Sequence, residues 1–292
     1  MGEITKAVIP IAGLATRFLP LSKAVPKELF PLGTRPMIQY VVEELKAAGV
    51  KDIIFVVSAN KKLVVDYFKR SPQIEKVLKE RNQHVLLEEM HALNKLLEGI
   101  SFTYIVQQKP LGDGNAVLQA KKFVGENPCF VVYPDDMVEA DTSAALQLAR
   151  VFTTSQKPVT ALARLPKDRL SGYGVVVGEK IASKLWKVKR IVEKPQGEVP
   201  SDLVIVGRRV ITPEVFEYVK KAKPNKKGEV VLSEVMADMV KEGKIMYGYE
   251  IEGRWWEAGT KKEWLKSHLA LSLKSAEYGK ELQQFLKEEK LM

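Results

Sequence analysis

The chain has 292 residues, of which 46% are hydrophobic and 28% are charged. These proportions are typical of a globular protein with a sizeable core, and they exclude a disordered chain. The single cysteine, Cys129, excludes an internal disulfide, and three scattered histidines do not form a usual zinc site. We expect Cys129, in an apolar run, to be a small buried residue.

The N-terminal segment MGEITKAVIPIAG carries charge near its start and lacks the long apolar run of a signal peptide or a membrane span. We therefore expect a cytoplasmic protein with no membrane partner. The formal net charge of +10 favours anions without identifying them. Because the lysine-rich segments contain no interleaved aromatic residues, a solvated lysine surface is favoured and no nucleic-acid partner is expected.

The first half of the chain alternates apolar, β-branched runs with amphipathic stretches. KAVIPI, MIQYVVEELKAAG and DIIFVVS follow one another, and FTYIVQQ, NAVLQAKKFV and FVVYPDD continue the series. This order predicts βαβ units and a parallel sheet. The fully apolar strands indicate helices on both faces, so we predict a three-layer α/β core.

Residues 74–97 form a long, charged amphipathic segment, which we interpret as an insertion suited to packing on a neighbour. After Pro158, closely spaced runs predict a mixed or antiparallel extension of the sheet. These runs are VTALARL, GVVVG, WKVKRIVEK and LVIVGRRVI. We expect helices at 213–222 and 231–241, a strand at 245–251, and further helices to the C-terminus.

The first strand is followed by AGLATRFLPLSKAVPKELFPL, a loop that holds Arg17, Lys23 and Lys27 among small residues and prolines. The prolines prevent a regular helix. In an open α/β sheet this loop borders the ligand crevice, so its amides and cations are placed to hold a triphosphate. A basic surface loop is the competing interpretation, because neither GxxxxGK[ST] nor GxGxxG accompanies it.

GLATR followed by LPLSKAVPKELFPL resembles the signature loop of the sugar-1-phosphate nucleotidylyltransferases. The resemblance continues, in the same order, along nearly the whole chain. QQKPLGDGNAV resembles the base-reading segment, YPDD the metal strand, SGYGVV and VEKP the sugar and phosphate contacts, and LVIVGRRV a later sugar-side strand. The insertion YFKRSPQIEKVLKERNQHVLLEEM is similar to that of members that use UTP and glucose 1-phosphate.

The resemblance implies an α/β fold with a three-layer α/β/α, Rossmann-like nucleotidyltransferase core. Its sheet is expected to be mixed but predominantly parallel, with an added β and helical region on the sugar side. It implies one domain over residues 1–292, with a nucleotide-binding half at 1–157, a sugar-phosphate-binding half at 158–259 and C-terminal helices at 260–292. A homodimer or homotetramer is the implied assembly.

The implied reaction transfers a uridylyl group from UTP to glucose 1-phosphate and gives UDP-glucose and pyrophosphate. Two anionic substrates must meet, so fixed cations and Mg²⁺ are needed to offset their repulsion. By resemblance, Arg17 and Lys27 hold the triphosphate, Lys194 holds the sugar phosphate, and Asp135 and Glu257 bind Mg²⁺. No covalent nucleophile is required.

The remaining site residues also follow from the matched motifs. The expected nucleotide-binding residues are Ala12, Gly13, Leu14, Ala15, Thr16, Gln107, Gly112 and Asp113. The expected sugar-phosphate-binding residues are Asp136, Gly174, Glu193, Lys194, Val206 and Gly207. We expect Gln107 to read the base, because an amide both donates to and accepts from a pyrimidine edge.

The sequence departs from the family pattern at two positions, with Ala15 in place of glycine and Glu257 in place of aspartate. If Ala15 needs a positive φ, either the loop adjusts or triphosphate binding weakens. Both departures leave open a non-catalytic, nucleotide-sugar-binding regulatory paralogue. A dTTP-using enzyme is also open, since one methyl group gives only about 1–3 kcal/mol of discrimination. An enzyme that uses galactose 1-phosphate or N-acetylglucosamine 1-phosphate as the acceptor is also left open.

Overall fold

The computed structural model describes residues 3–59 and 61–291. In this part of the chain the strands are β1 (Lys6–Ile11), β2 (Pro31–Leu32), β3 (Arg35–Pro36), β4 (Asp52–Val57), β5 (Ser101–Val106), β6 (Cys129–Val132), β7 (Asp136–Glu139), β8 (Val159–Arg164), β9 (Gly174–Ala182), β10 (Leu185–Glu193), β11 (Leu203–Ile211), β12 (Tyr247–Glu250) and β13 (Arg254–Glu257). The helices are α1 (Met37–Ala47), α2 (Lys62–Tyr67), α3 (Pro72–Glu80), α4 (His84–Leu97), α5 (Asp113–Gln119), α6 (Lys121–Val124), α7 (Ala144–Ser155), α8 (Pro213–Lys221), α9 (Leu232–Lys241), α10 (Lys261–Leu273) and α11 (Gly279–Glu288).

Nine strands form one sheet in the order β5-β4-β1-β6-β11-β8-β12-β10-β9. The strands β5, β4, β1 and β6 are parallel neighbours. Only β11 and β10 run against the rest, because β11 is antiparallel to β6 and β8, and β10 is antiparallel to β12 and β9. The predicted mixed, predominantly parallel sheet is confirmed.

Helices cover both faces of this sheet. On one face, α1 and α7 bury Ile38 and Leu148 beside Ile9 of β1. On the other face, α5 and α8 bury residues such as Phe216 in a cluster with Val8. Adjacent residues of β1 therefore face opposite layers, as the side-chain alternation of a strand requires. This arrangement confirms the three-layer α/β/α core.

Two short antiparallel pairs, β2 with β3 and β7 with β13, lie beside the large sheet. A further core cluster joins Phe18 and Phe30 of the loop after β1 to Trp264 of α10. The C-terminal helix α10 thus packs against this loop. The division of the chain at residues 157 and 259 stays a prediction, and the large sheet takes strands from both sides of residue 157.

The charged segment at 74–97 forms two helices, α3 and α4, instead of one continuous stretch. Between them Asn82 has a φ of 53°, a left-handed conformation that asparagine adopts more readily than most residues. No residue of α4 is buried in the part of the chain that the structure describes. Packing of this insertion on a neighbour stays a prediction.

The apolar residues are concentrated in the sheet and its covering helices. Cys129 is fully buried in β6, and burial raises the pKa of its thiol, as expected for a structural cysteine. Over the described residues, we find no helix that is both long and apolar enough to cross a membrane.

A buried ion pair ties α1 to β11. Arg208 is 1% exposed and donates from Nη2 to Glu44 at 2.8 Å and from Nη1 to the main-chain oxygen of Tyr133 at 2.8 Å. Glu44 also accepts the amide of Ala145, in α7, at 3.0 Å. Because both charges have left water, each depends on the other.

Glu44→Gln is expected to lower the free energy of unfolding by about 3–5 kcal/mol, because it leaves a buried guanidinium without a counter-charge. Guanidinium chloride denaturation followed by circular dichroism measures the change. The double variant Glu44→Gln/Arg208→Met removes that charge and is expected to recover part of the loss. A loss below about 1 kcal/mol in Glu44→Gln, the range of a surface pair, would contradict a structural tie.

Candidate active site

A cleft of about 1010 Å³ opens where β1 and β6 end. Ligands of open α/β sheets bind at such carboxyl ends. All the predicted site residues line the cleft except Lys27 and Val206. Those that line it are Ala12, Gly13, Leu14, Ala15, Thr16, Arg17, Gln107, Gly112, Asp113, Asp135, Asp136, Gly174, Glu193, Lys194, Gly207 and Glu257.

The loop after β1 turns at Ala15, which adopts a left-handed conformation with φ 51° and ψ 44°. The amide of Phe18 and the hydroxyl of Ser22 both donate to the carbonyl oxygen of Ala15, each at 2.9 Å. This conformation costs a residue with a Cβ roughly 1–2 kcal/mol. The loop therefore keeps the left-handed turn although alanine stands in place of glycine. The conformational strain lies at Ala15.

Arg17 is exposed in the same loop, whereas its neighbour Phe18 is buried against Phe30 at 5.2 Å between ring centroids. The Arg17 Nη1 atom donates a long hydrogen bond of 3.5 Å to the carbonyl oxygen of Gly259. Its charge therefore faces the cleft, anchored by the aromatic residue beside it.

Lys27 belongs to a row of alternating charges beside the cleft. The row consists of Asp135, Lys27, Glu28 and Lys61, with Lys27 Nζ 2.6 Å from Asp135 Oδ2 and Lys61 Nζ 2.7 Å from Glu28 Oε1. Burial opposes both charges of the first pair, but the Asp135 carboxylate raises the pKa of Lys27, and the Lys27 ammonium lowers the pKa of Asp135. Lys27 thus keeps Asp135 ionised, and its direct contact with a triphosphate stays a prediction.

Asp136 is held by protein donors on both of its carboxylate oxygens. Oδ2 accepts the amide of Gly207 at 2.9 Å, and Oδ1 accepts the indole N–H of Trp255 at 2.9 Å. Burial and the neighbouring Asp135 charge raise the pKa of Asp136 to about 7. The observed role of Asp136 is to fasten β11 and β13 to the start of β7, and its sugar contact stays a prediction.

Glu257 lies opposite Asp136 in the β7–β13 pair, and the next amide, of Ala258, donates to the main-chain oxygen of Asp135 at 2.7 Å. The Glu257 side chain is 10% exposed, and its Oε2 accepts from Arg169 Nη2 at 2.5 Å. Within the described residues, no group of three or more histidine, cysteine or acidic side chains is placed to hold a metal ion. Binding of Mg²⁺ by Asp135 and Glu257 stays a prediction.

Gln107 is 6% exposed, and its Nε2 atom donates to Asn115 Oδ1 at 2.9 Å and to the main-chain oxygen of Gly112 at 3.2 Å. Gly112 and Gly114, the two glycines of the GDG turn in QQKPLGDGNAV, are expected to let the backbone approach a base. A Cβ on Gly112 would lie 2.3 Å from the main-chain oxygen of Val230. At Gly112 the structure therefore shows a close approach to the protein's own backbone.

On the opposite wall, Gly174 and Glu193 are paired between β9 and β10. Glu193 Oε2 accepts the hydroxyl of Ser233 at 2.7 Å, which orients the carboxylate. Lys194 has a left-handed φ of 45°, and its side chain is 52% exposed. A strained residue with an exposed charge at a cleft is typical of a functional position.

Val206 is fully buried on the other face of the sheet, among the residues that α1 and α7 cover. Its side chain therefore cannot reach the cleft, and only its main chain is available for the predicted sugar contact. The structure adds Tyr133, Arg209 and Ser233 to the lining. A signal for Arg209 was present in the sequence, since a charged side chain in an apolar strand needs a partner or a cavity.

The profile of the nucleotidyl transferase family matches residues 6–273. The chain belongs to the nucleotidyl transferase family. It is 36% identical to the UTP–glucose-1-phosphate uridylyltransferase of Staphylococcus epidermidis over 289 residues, which cover 99% of each chain. It is 35% identical to UTP–glucose-1-phosphate uridylyltransferase 1 of Staphylococcus saprophyticus, over 98% of each chain.

Two solved structures share the fold of this chain. A UTP-bound UGPase from Acinetobacter baumannii superposes with a TM-score of 0.88 at 32% identity, covering 98% of this chain and 99% of that one. A UDP-glucose pyrophosphorylase complexed with UDP-glucose gives a TM-score of 0.83 at 30% identity, covering 93% of this chain and 100% of that one. The family resemblance inferred from the motifs is thereby confirmed.

Gly207→Ala is expected to lower the free energy of unfolding by about 1–3 kcal/mol, because overpacking forces its neighbours to move. The added Cβ would lie 2.5 Å from Asp136 Oδ2 and 2.9 Å from Tyr133 Cβ. Gly197→Ala is the matched control, since a Cβ there meets no atom within 4 Å. Equal denaturation midpoints for the two variants would contradict a tight Asp136–Gly207 contact.

Proposed function

We propose that this chain is a UTP–glucose-1-phosphate uridylyltransferase. The observation that carries the proposal is that a single cleft brings together the loop cation Arg17, the acidic Asp135, and the Glu193 and Lys194 pair. The Staphylococcus relatives with that name match this chain over almost its whole length. An oxygen of glucose 1-phosphate attacks the α-phosphorus of UTP, the bond to the β-phosphate oxygen breaks, and pyrophosphate leaves.

The protein's main task in this reaction is to manage charge. A triphosphate and a sugar phosphate repel each other, and the pentacoordinate state concentrates negative charge between them. Arg17 and Lys194 stand on different walls of the cleft and can each hold one anion. The reaction needs no enzyme nucleophile, and the buried Cys129 is not available for that role.

Asp135 and Glu257 would hold Mg²⁺, because hard carboxylate oxygens suit this ion and nucleotide sites often supply only one or two of them. The main-chain hydrogen bond from Ala258 to Asp135 brings the end of β13 next to Asp135, which supports this donor set. When bound, Mg²⁺ neutralises phosphate charge. Lys27 and Arg169 form ion pairs with these two carboxylates and orient them beforehand.

Gln107 is proposed to read the uracil. Its Nε2 atom is fixed by two protein acceptors, and within the described residues no protein donor is bound to its Oε1 atom. Gly174 and Glu193 are proposed to contact the hexose, with the carboxylate oriented by Ser233. The proposed assembly is a homodimer or homotetramer, and the proposed location is the cytoplasm.

A substrate panel tests the function directly. Purified protein, with Mg²⁺, is mixed with UTP, dTTP, CTP or GTP and with the 1-phosphate of glucose, galactose or N-acetylglucosamine, and pyrophosphate release is measured. The proposal expects the largest kcat/KM for UTP with glucose 1-phosphate. No pyrophosphate from any pair would favour a regulatory paralogue, and a preference for dTTP or another sugar would reassign the substrate.

Asp135→Asn is expected to reduce kcat by roughly 100-fold or more, because asparagine keeps the size but removes the charge that holds the metal. Raised Mg²⁺ is not expected to restore the rate. Asp141→Asn, at an exposed position outside the cleft, is the control. Steady-state rates over a range of Mg²⁺ provide the measurement, and a variant that excess Mg²⁺ fully rescues would remove Asp135 from its role.

Arg17→Ala and Lys194→Ala are expected to separate the two substrates. Losing one charge-assisted contact of about 1.5–3 kcal/mol raises KM for UTP in the first variant and KM for glucose 1-phosphate in the second, by roughly 10- to 100-fold. Titration of each substrate at saturation with the other measures both values. Identical profiles for the two variants would show that the cations do not serve different anions.

A further inference from the structure

Arg209 occupies an unusual place in β11, a strand whose nine residues are all buried. Ile205, Gly207 and Arg209 alternate along one face of the strand and all line the cleft, and Ile211 continues that face into the core. Arg209 pairs with Val131 of β6, so it stands deeper in the sheet than the strand ends that carry Asp135. Its side chain therefore forms part of the cleft floor.

Among the described residues, Arg209 lacks a counter-charge of the kind that Arg208 has. Arg208 is 1% exposed and is paired with Glu44, whereas Arg209 is 5% exposed and, within the described residues, has no carboxylate oxygen within ion-pair distance. Its Nε atom is buried without a hydrogen-bond partner. An unpaired buried cation is destabilising, so its presence beside a cavity points to a partner outside the protein.

Asp113 is an acidic residue that lines the cleft beside Arg209, but its oxygens already accept hydrogen bonds from protein donors. Oδ1 accepts the amides of Gly114 at 2.9 Å and Leu232 at 3.1 Å, and Oδ2 accepts the hydroxyl of Tyr133 at 2.5 Å. Burial and the Asp113 charge raise the pKa of Tyr133, so its hydroxyl stays a donor. Asp113 therefore fixes Tyr133 instead of neutralising Arg209.

Tyr133 in turn supports the guanidinium. The Arg209 Cζ atom lies 5.3 Å from the centroid of the Tyr133 ring, a cation–π distance. The head group is thus held against an aromatic face while its Nε–H bond has no protein acceptor. This is the arrangement of a donor that is positioned before its ligand arrives.

The surroundings of Arg209 identify the part of the ligand that it meets. The N-terminus of α9 joins the floor to the sugar-side wall, because the Leu232 amide donates to Asp113 and the Ser233 hydroxyl donates to Glu193 at 2.7 Å. The phosphate-facing cations lie elsewhere, with Arg17 in the loop after β1 and Lys194 on an exposed turn. Under the proposed function, Arg17 and Lys194 hold the phosphates, and the ligand group left to meet Arg209 is the hexose.

We propose that Arg209 is a specificity-determining residue of the acceptor site, where its guanidinium donates hydrogen bonds to hydroxyl oxygens of the hexose. The inference rests on the proposed function and adds a sugar-reading residue to it. Sites that hydrogen-bond a substrate hydroxyl reject analogues that lack it, because the buried donor is then left unpaired. Under this proposal, kcat/KM for a hexose 1-phosphate depends on whether the sugar presents a hydroxyl to Arg209 at the floor of the cleft.

Binding of product tests the proposal without turnover. Calorimetric titration of UDP-glucose and of UDP is carried out with the wild type, Arg209→Met, Arg209→Lys and, as a matched control, Arg150→Met at an exposed arginine. Arg209→Met is expected to weaken UDP-glucose binding by roughly 10- to 100-fold, the loss of a charged hydrogen bond, and to leave UDP binding within about twofold. Arg209→Lys keeps the charge, so its affinity for UDP-glucose is expected to lie between that of the wild type and that of Arg209→Met.

Acceptor kinetics locate the contact. The monodeoxy analogues of glucose 1-phosphate are compared in the wild type and in Arg209→Met, at saturating UTP. One analogue is expected to lose roughly 10- to 100-fold in kcat/KM with the wild type and to show no comparable penalty with the variant, because side chain and hydroxyl form one pair. Equal penalties in both proteins for every analogue would overturn the proposal.

Stability separates a binding role from a structural one. Removal of an uncompensated buried charge is expected to leave the guanidinium chloride midpoint of Arg209→Met unchanged or higher than that of the wild type. A clearly lower midpoint would assign Arg209 to the core and overturn the proposal. If the wild type binds neither UDP-glucose nor UDP, the proposed function fails and the inference with it. If Arg209→Met binds UDP-glucose as the wild type does, only the inference fails.

Discussion

Two adjacent carboxylates have to remain fixed just after β6, and most of the site is organised around that requirement. Burial works against the charge of both of them, and the Asp135 charge raises the pKa of Asp136 further. The protein resolves this by giving the carboxylates different partners. Asp135 has the ammonium of Lys27, whereas Asp136 has the Gly207 amide and the Trp255 indole. The loop after β1, β11 and β13 thus converge because each supplies a donor.

The buried cations differ in whether their partners belong to the protein. Lys61 is paired with Glu28, and Arg208 is paired with Glu44, so both are satisfied within the protein. Such pairs add little to stability, but the loss of either partner is expensive. In the described part of the chain, Arg209 has no carboxylate in ion-pair range and borders the cavity instead. Two consecutive arginines in one strand therefore serve the core on one face and the cleft on the other.

Local pattern was sufficient to predict the layers and the mixed extension of the sheet, because strand alternation is a property of short segments. Most cleft-lining residues were predicted from the resemblance of short motifs to a known family. Contacts between distant segments were not predictable in this way. The closeness of Gly112 to the Val230 backbone depends on how α5 meets the chain before α9. Likewise, the pairing of Lys27 with Asp135 and of Arg169 with Glu257 joins residues far apart in sequence. The periodicity of a single sequence carries no information about such partners.

Both carboxylates proposed to bind metal are neutralised by protein cations, Asp135 by Lys27 and Glu257 by Arg169. A lone anion entering the cleft attracts these cations away from their carboxylates, and a lone divalent cation attracts the carboxylates away from them. Each change leaves one partly buried charge without its partner, which is unfavourable. A metal-bound triphosphate brings both signs of charge and can replace both partners at once. Under the proposed function, the metal and phosphate requirements of the reaction therefore meet in the same four side chains.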